Sequence, residues 1–328
     1  MGLSGDPVRW GILSTADINR KLLPGFRASK TADLIAVASR LHERADEYAE
    51  AEGIPVAYGS YEELLADPAV EAVYIPLPNG LHVEWAVRAL EAGKHVLCEK
   101  PLDRRPEEVE RAFEVAERVD RLLMEAFMYR HHPQTKRLAE LVSAGAIGDL
   151  RVIRSSFGFT LDDLENVRML GKLDGGSVMD VGCYCISVSR LFGGEPDVVL
   201  GRQVIGATGV DVRFVGTLGF AGDVLAHFDC GFDVPDNSGL EVVGSAGTLR
   251  VPSPFHVKPS GFDIVRDDGV EHVDVGDADH YQEEIENLSA AIRGHAEPLL
   301  GRADAIGQAR TIAALYRSAG RGGAPEAV

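Results

Sequence analysis

Six short apolar runs, separated by helix-patterned stretches, pace the first 127 residues of the chain. The runs are 8–13, 34–38, 56–58, 72–75, 95–97 and 122–126. Helical patterns fall between them over 42–52, 61–66, 80–92 and 106–119. Strands that are apolar nearly throughout are covered on both faces, and strands that alternate with helices pair in parallel. The rhythm therefore predicts a doubly wound parallel α/β sheet. Pro24 stands in the helical stretch after the first run and predicts a break or kink there, because proline has no amide hydrogen to donate.

Past residue 127 the rhythm changes. A helix is expected over 134–144, ending at Gly145. Strands then dominate, at 150–159, 197–205, 210–219, 223–231, 239–244 and 247–251, with shorter ones near 262–266 and 271–275. Alternation such as Arg213-Phe214-Val215-Gly216-Thr217-Leu218 gives one buried and one open face. Short connections such as Phe220-Ala221-Gly222-Asp223 imply antiparallel pairing. Helices over 177–192, 279–293 and 302–318 complete this half, and the tail from Gly320 to Val328 is expected to be frayed. The expected division is a parallel-sheet domain over 1–127 and an α+β domain with a large open, mainly antiparallel sheet over 128–328. An open sheet face needs cover, so a homodimer or homotetramer through it is expected.

A chain of 328 residues has room for two cores. Its formal net charge of -18 argues against partners such as nucleic acid or anionic membranes, so any phosphate site must be local. No apolar run approaches the length of a membrane span. The amino terminus, Met1-Gly2-Leu3-Ser4-Gly5-Asp6, lacks a basic region followed by an apolar core, and Asp6 stands where myristoylation wants Ser or Thr. Cys98, Cys183, Cys185 and Cys230 form no C-x-x-C pair, and no Cys/His spacing suits zinc. Reduced thiols in a cytoplasmic protein without a metal are expected; His131-His132 has no partner at ligand spacing.

Open α/β sheets bind ligands outside the carboxyl ends of their strands. After the first run the chain reads Ser14-Thr15-Ala16-Asp17-Ile18-Asn19, where G-x-G-x-x-G would cradle a pyrophosphate on backbone amides. The glycines are absent, so position carries most of the case for a dinucleotide; an ordinary strand-to-helix turn is the other reading. After the second run stands Ser39-Arg40, where an NAD enzyme carries Asp or Glu for the ribose 2′-hydroxyl. A hydroxyl followed by a guanidinium suits a 2′-phosphate and favours NADP over NAD; the alternative is a surface arginine. The fourth run is followed by Pro76-Leu77-Pro78-Asn79-Gly80-Leu81-His82, in which Asn79 can cap the next helix. The fifth is followed by Cys98-Glu99-Lys100-Pro101. Lys100 is either a solvated loop lysine or an ammonium that donates to a reacting oxygen.

In the helix expected over 177–192, Val178, Val181, Cys185, Val188 and Phe192 form a core-facing stripe. Asp180 and Tyr184 share another face, one turn apart, and both can reach one ligand. Equally, Asp180 can stabilise the helix start through the dipole, with Tyr184 as an amphipathic rim residue.

Taken in order, Pro78-Asn79-x-x-His82, Glu99-Lys100-Pro101, Met128-Tyr129-Arg130 and Gly175-Gly176-x-x-x-Asp180-x-Gly182-x-Tyr184 resemble the Gfo/Idh/MocA oxidoreductase family, from Val8 to about Ala319. The resemblance implies a Rossmann domain followed by an α+β domain, a nicotinamide dinucleotide, and oxidation or reduction of a carbon–oxygen centre on a sugar or cyclitol. It implies Lys100 as catalytic lysine, a cis peptide before Pro101, and Glu99 near the nicotinamide ribose. Ser14 and Ala16 dilute the glycine fingerprint, as in some aldose-oxidising members. Tyr184 stands where many inositol-type members carry His, and is more like glucose–fructose oxidoreductase, keto-sugar reductases, D-xylose dehydrogenases and dihydrodiol dehydrogenases. Glu165-Asn166-Val167-Arg168 also resembles the xylose and dihydrodiol group. No twin-arginine export signal is seen, which speaks against the periplasmic branch.

The reaction this implies is hydride transfer between C4 of NADP and a carbinol or carbonyl carbon of a sugar or cyclic polyol. Lys100 would stabilise charge developing on the substrate oxygen. Tyr184 would exchange the proton, its pKa lowered by an adjacent ammonium and an oxidised nicotinamide. Asp180 would orient substrate. The cofactor set expected is Ser14, Thr15, Ala16, Asp17, Ile18, Ser39, Arg40, Pro76, Leu77, Asn79, His82, Glu99, Lys100 and Arg130; the substrate set is Lys100, Arg168, Asp180, Tyr184 and Tyr281. A dihydrodiol-type dehydrogenase and a non-catalytic NADP-binding sensor remain as alternatives.

Overall fold

In the computed structural model, which describes residues 5–328, the six apolar runs become β1 (Val8–Leu13), β2 (Ala32–Ala38), β3 (Val56–Tyr58), β4 (Ala72–Ile75), β5 (His95–Glu99) and β6 (Leu123–Ala126). Met1–Ser4, read above for a leader or lipidation pattern, lie outside the described residues. The strands lie in the order β3-β2-β1-β4-β5-β6, and every neighbouring pair is parallel. The order reverses between β1 and β4, the switch point where such sheets take ligands.

The helices are α1 (Asn19–Ala28), α2 (His42–Glu52), α3 (Tyr61–Ala66), α4 (His82–Glu91), α5 (Pro106–Arg118), α6 (Pro133–Ser143), α7 (Cys183–Gly193), α8 (His280–Ile292) and α9 (Arg302–Gly320). The break expected at Pro24 does not occur, and α1 runs through it as one helix. Packing offsets the lost hydrogen bond. Leu22, Leu23 and Phe26 are buried, and Gly25 lets α8 close in so far that a Cβ there would lie 2.8 Å from the Gln282 amide nitrogen. Trp10, fully buried on β1, meets Phe26 edge-on at 5.6 Å and donates its indole N–H to Ser289 of α8 at 3.1 Å.

The chain forms two compact units. One holds the residues up to Asp103, Glu107–His131 and Asp279–Ile306; the other holds Arg104–Pro106, His132–Ala278 and Gly307–Val328. The stretch 279–306, placed with the second half in the linear reading, thus belongs to the unit of the parallel sheet. Asp279 caps α8 there, accepting the amides of Tyr281 and Gln282 at 2.9 and 3.2 Å.

The second unit is built on β7 (Leu150–Thr160), β8 (Val198–Ile205), β9 (Asp211–Gly219), β10 (Leu225–Gly231), β11 (Asp233–Gly244), β12 (Thr248–Val251), β13 (Phe262–Arg266), β14 (Gly269–Val273) and β15 (Glu326–Ala327). Their order is β14-β13-β12-β11-β7-β10-β9-β8-β15, antiparallel except for the parallel pair β7 and β10. One face buries Ile153, Phe214, Leu218, Phe228, Leu240 and Val242, with α7 packed on β7 and β10. The other carries exposed Leu200, Val204, Val215 and Leu225 beside a ladder in which Arg154 and Arg250 both bond Glu241. The tail expected to fray is instead pinned: β15 adds an edge strand to β8, Ser318 donates to the Ala324 carbonyl at 2.6 Å, and Glu326 pairs with Arg317 and Arg321.

Among the described residues no helix is long and apolar enough to cross a membrane.

Candidate active site

β1 hands over to α1 through Ser14, whose φ of 128° suits glycine better than serine. Neighbours hold it there. Its amide donates to the Ala38 carbonyl at 3.0 Å, and its carbonyl accepts from Asn19 Nδ2 at 2.9 Å. The start of α1 has no side-chain cap and no acidic residue in its first turn. Among the described hydrogen bonds, none uses the amides of Thr15, Ala16, Asp17 or Ile18. Thr15, Ala16 and Asp17 border a cleft of about 300 Å³ with Arg20, Arg44 and Tyr48, and Glu47 and Glu52 line it as well. Unclaimed amides at a helix start, with guanidiniums beside them, are what a phosphate chain needs, so this turn fits a dinucleotide without the fingerprint glycines. Ser39 is buried and Arg40 exposed at the end of β2. Burial raises the pKa of Tyr61, while Ser14 and the positive charges of Arg40 and Arg44 pull it down.

At the end of β5, Glu99 accepts the Tyr74 hydroxyl on one oxygen at 2.6 Å and the Lys100 amide on the other at 3.2 Å. Burial and then the Glu99 charge push the Tyr74 phenol far above its ordinary value. Tyr281 and Glu284, both on α8, are pushed upward for the same two reasons. Glu284 is 0% exposed, and neither carboxyl oxygen has a hydrogen-bond partner; His131 Nε2 lies 4.0 Å away.

The Lys100–Pro101 peptide is cis, as the family resemblance implied. His82 is fully buried, with Nδ1 2.9 Å from the Pro101 carbonyl and Nε2 2.7 Å from the Leu77 carbonyl. Burial lowers its pKa although both carbonyls favour the charged ring. Expected as a cofactor contact, His82 has no ring nitrogen left for one; it ties the loop after β4 to the loop after β5. Asn79 does not cap α4. It opens a short 3₁₀ turn, and Leu81 occupies the cap position, because the Leu81 amide closes back on the Pro78 carbonyl at 2.9 Å. Pro76 and Leu77 are buried, and Arg130, only 12% exposed, pairs with Asp304 at 3.5 Å.

In the second unit, Gly175 and Gly176 are required by their surroundings. A Cβ on Gly175 would overlap the Arg168 carbonyl, and one on Gly176, at φ 123°, would overlap the Asp211 carboxylate. The single helix expected over 177–192 is two pieces, a π-helical turn over Val178–Gly182 and then α7. The wider turn seats Gly182 on β10, where a Cβ would come 2.7 Å from Cys230 Sγ. Asp180 accepts from Arg168 Nε at 2.9 Å. Tyr184, 6% exposed, meets Phe157 at 5.4 Å and Phe255 at 5.3 Å between ring centroids. Aromatic walls therefore hold its ring, and the rim position considered for it is not what the fold provides.

Two family models match. The oxidoreductase family with an NAD-binding Rossmann fold covers residues 8–127, and the GFO/IDH/MocA C-terminal domain covers 135–250. The chain belongs to the Gfo/Idh/MocA oxidoreductase family. It is similar to a D-xylose 1-dehydrogenase (NADP(+)) of Haloferax volcanii, with 41% identity over 323 residues, 97% of this chain and 99% of the relative. It is similar in structure to a 3-ketoreductase from Actinomadura kijaniata in complex with NADP and TDP-benzene, with a TM-score of 0.89 and 32% identity over 95% of this chain and 98% of that one. An aldose-aldose oxidoreductase from Caulobacter crescentus complexed with glycerol superposes with a TM-score of 0.92 and 26% identity, over 98% of this chain and 100% of that one.

Four residues of this Gfo/Idh/MocA oxidoreductase escaped the sequence reading. Arg44 had a usable signal, a second arginine in the first turn of α2 after Ser39-Arg40. Tyr61, Tyr74 and Glu284 had none, being ordinary members of an amphipathic helix or an apolar strand. Tyr281 joins the unit that holds Glu99, while Arg168, Asp180 and Tyr184 come together in the other.

Proposed function

We propose that this protein is an NADP-dependent oxidoreductase that moves a hydride between nicotinamide and a carbinol or carbonyl carbon of an aldose or keto-sugar. The observation that carries the reading is Lys100 at the carboxyl end of β5, next to a Glu99 held by Tyr74. The names of the relatives support a sugar, and Ser39 with Arg40 and Arg44 supports the 2′-phosphate of NADP. The amides of Thr15 to Ile18 would hold the pyrophosphate.

When bound, NADP supplies the hydride donor or acceptor at C4. Lys100 gives a hydrogen bond to the substrate oxygen and stabilises the negative charge that develops there. Tyr184 takes the proton from that oxygen on oxidation and returns it on reduction. Asp180, held by Arg168, accepts from a neighbouring hydroxyl and orients the ring. The exposed sheet face around Leu200, Val204, Val215 and Leu225 is the surface we assign to a homodimer or homotetramer. Four buried cysteines, none of them in a disulfide, suit the reducing cytoplasm.

The test is turnover of NADPH and NADP⁺ with aldoses, keto-sugars and cyclic trans-diols, in the wild type and in Lys100→Met. Turnover of a sugar, abolished in a folded Lys100→Met that still binds NADPH, is the expected result. Turnover of the cyclic diols alone supports the dihydrodiol alternative. Binding without turnover of any substrate supports a sensor, and near-normal turnover in Lys100→Met removes Lys100 from the mechanism.

A further inference from the structure

Asp211, the first residue of β9, is 3% exposed, yet three donors converge on it. Ser177 Oγ donates to Oδ2 at 2.7 Å and the Val178 amide to the same oxygen at 2.8 Å. The Tyr316 hydroxyl, from α9, donates to Oδ1 at 2.8 Å. Burial raises the Asp211 pKa, and the three donors oppose that rise by satisfying the carboxylate. Gly176 closes over the same group, where a Cβ would also come 3.3 Å from the Tyr316 hydroxyl.

The contacts continue on the far side of the glycine pair. The Arg104 guanidinium lies 5.5 Å from the centre of the Tyr316 ring and pairs with Asp174 at 2.9 Å. Asp174 directly precedes Gly175-Gly176, and Ser177 directly follows them. The turn is therefore gripped at both ends by one connected set: Asp174, Arg104, Tyr316, Asp211 and Ser177. The π-helical turn that carries Asp180 starts at Val178, whose amide is one of the three donors, and α7 with Tyr184 follows without a break.

We propose that Asp211 is the positioning residue of this clasp, and that it sets where Asp180 and Tyr184 stand by fixing the start of the π-helical turn. Its effect on rate rests on the oxidoreductase reading above; its effect on the turn does not. Misplacing a reacting group by about 1 Å can lower a rate roughly 10²-fold. Asp211→Ala removes all three contacts. Asp211→Asn keeps an oxygen for Ser177 and Val178 and offers Tyr316 an amide hydrogen, so the hydroxyl need only turn round to accept.

Two measurements test the proposal in the full chain. Hydrogen exchange followed by mass spectrometry should show faster exchange in the peptide spanning 177–184 in Asp211→Ala, with the rest of the second unit unchanged, and near-wild-type exchange in Asp211→Asn. Sugar turnover in Asp211→Ala should lose roughly 10²-fold in kcat with NADPH affinity intact, and Asp211→Asn should recover most of it. Should Asp211→Ala fail to fold, Tyr316→Phe takes its place, with faster exchange over 177–184 and a kcat loss of about 10-fold expected. Unchanged exchange at 177–184 overturns the clasp, as does an equal kcat loss in Asp211→Ala and Asp211→Asn. A wild type without turnover counts against the oxidoreductase reading and leaves the exchange result to decide the clasp.

Discussion

Arg168 donates from Nε to Oδ2 of Asp180 at 2.9 Å, with the guanidinium 44% exposed and the carboxylate 14% exposed. Solvent screens the pair from its exposed arginine side, so it contributes about 0.2–1 kcal/mol to folding, and Arg168→Ala should barely move Tm. If the pair aims Asp180 at substrate, the same variant should raise KM for the sugar several-fold and lower kcat less. Steady-state kinetics separate the two, and an unchanged KM would take Arg168 out of the site.

Arg40 follows β2 with its side chain exposed, and Arg44 on α2 borders the cleft beside Thr15 and Ala16. A hydrogen bond to a charged group is worth about 1.5–3 kcal/mol, so Arg40→Ala should weaken NADPH by that order and leave NADH little changed. Arg44→Ala should act in the same sense. Fluorescence titration with both cofactors checks this; equal losses for NADPH and NADH would mean that Arg40 stacks on adenine or only supports the loop.

The ring of Tyr184 is packed by Phe157 and Phe255, so Tyr184→Phe should preserve the fold and remove only the hydroxyl. A positioned acid–base group contributes roughly 10²–10⁴-fold, and kcat should fall by about that factor while KM changes less. The ionisation limb in the pH profile of oxidation should disappear with the hydroxyl. A loss of only a few-fold, with the limb intact, would assign the proton to Lys100 or to water.

Glu284 offers a stability test. Burial, then the charge of Glu99, hold its carboxyl well above the ordinary value of 4.5. The folded state therefore keeps the proton while the unfolded chain loses it. Native stability falls as pH rises from 4.5 toward the raised folded value. Glu284→Gln cannot ionise in either state. Its Tm advantage over the wild type should grow as pH rises from 4.5 toward neutrality. A gap that does not change with pH would show that Glu284 titrates normally.

Both sheets are legible in the sequence alone, because strand and helix periods are local. Apart from the exposed Arg9, Val8–Leu13 and Ala72–Ile75 are without charge and buried throughout, as central parallel strands must be. Arg213 to Leu218 alternate, and that alternation became one buried and one open face. Ser39-Arg40 and Glu99-Lys100 stood out because a charge that ends an apolar run is a local signal too.

Relationships across the chain had no such signal. Tyr74 and Glu99 are 25 residues apart, and nothing in an apolar strand announces which tyrosine will meet which carboxylate. Asp211 and Tyr316 are 105 apart, and their meeting under Gly176 depends on β9 and α9 arriving together. Asp279–Ile306 follows the second sheet in sequence but packs in the first unit, since Gly25 leaves a seat for α8 that no period records. His82 is a related case. Its place in a motif is written in the chain, but full burial between two carbonyls arises when the loops after β4 and β5 close over it. Periodicity reports which face of an element is apolar; which polar group ends up beneath another is set by how the elements pack.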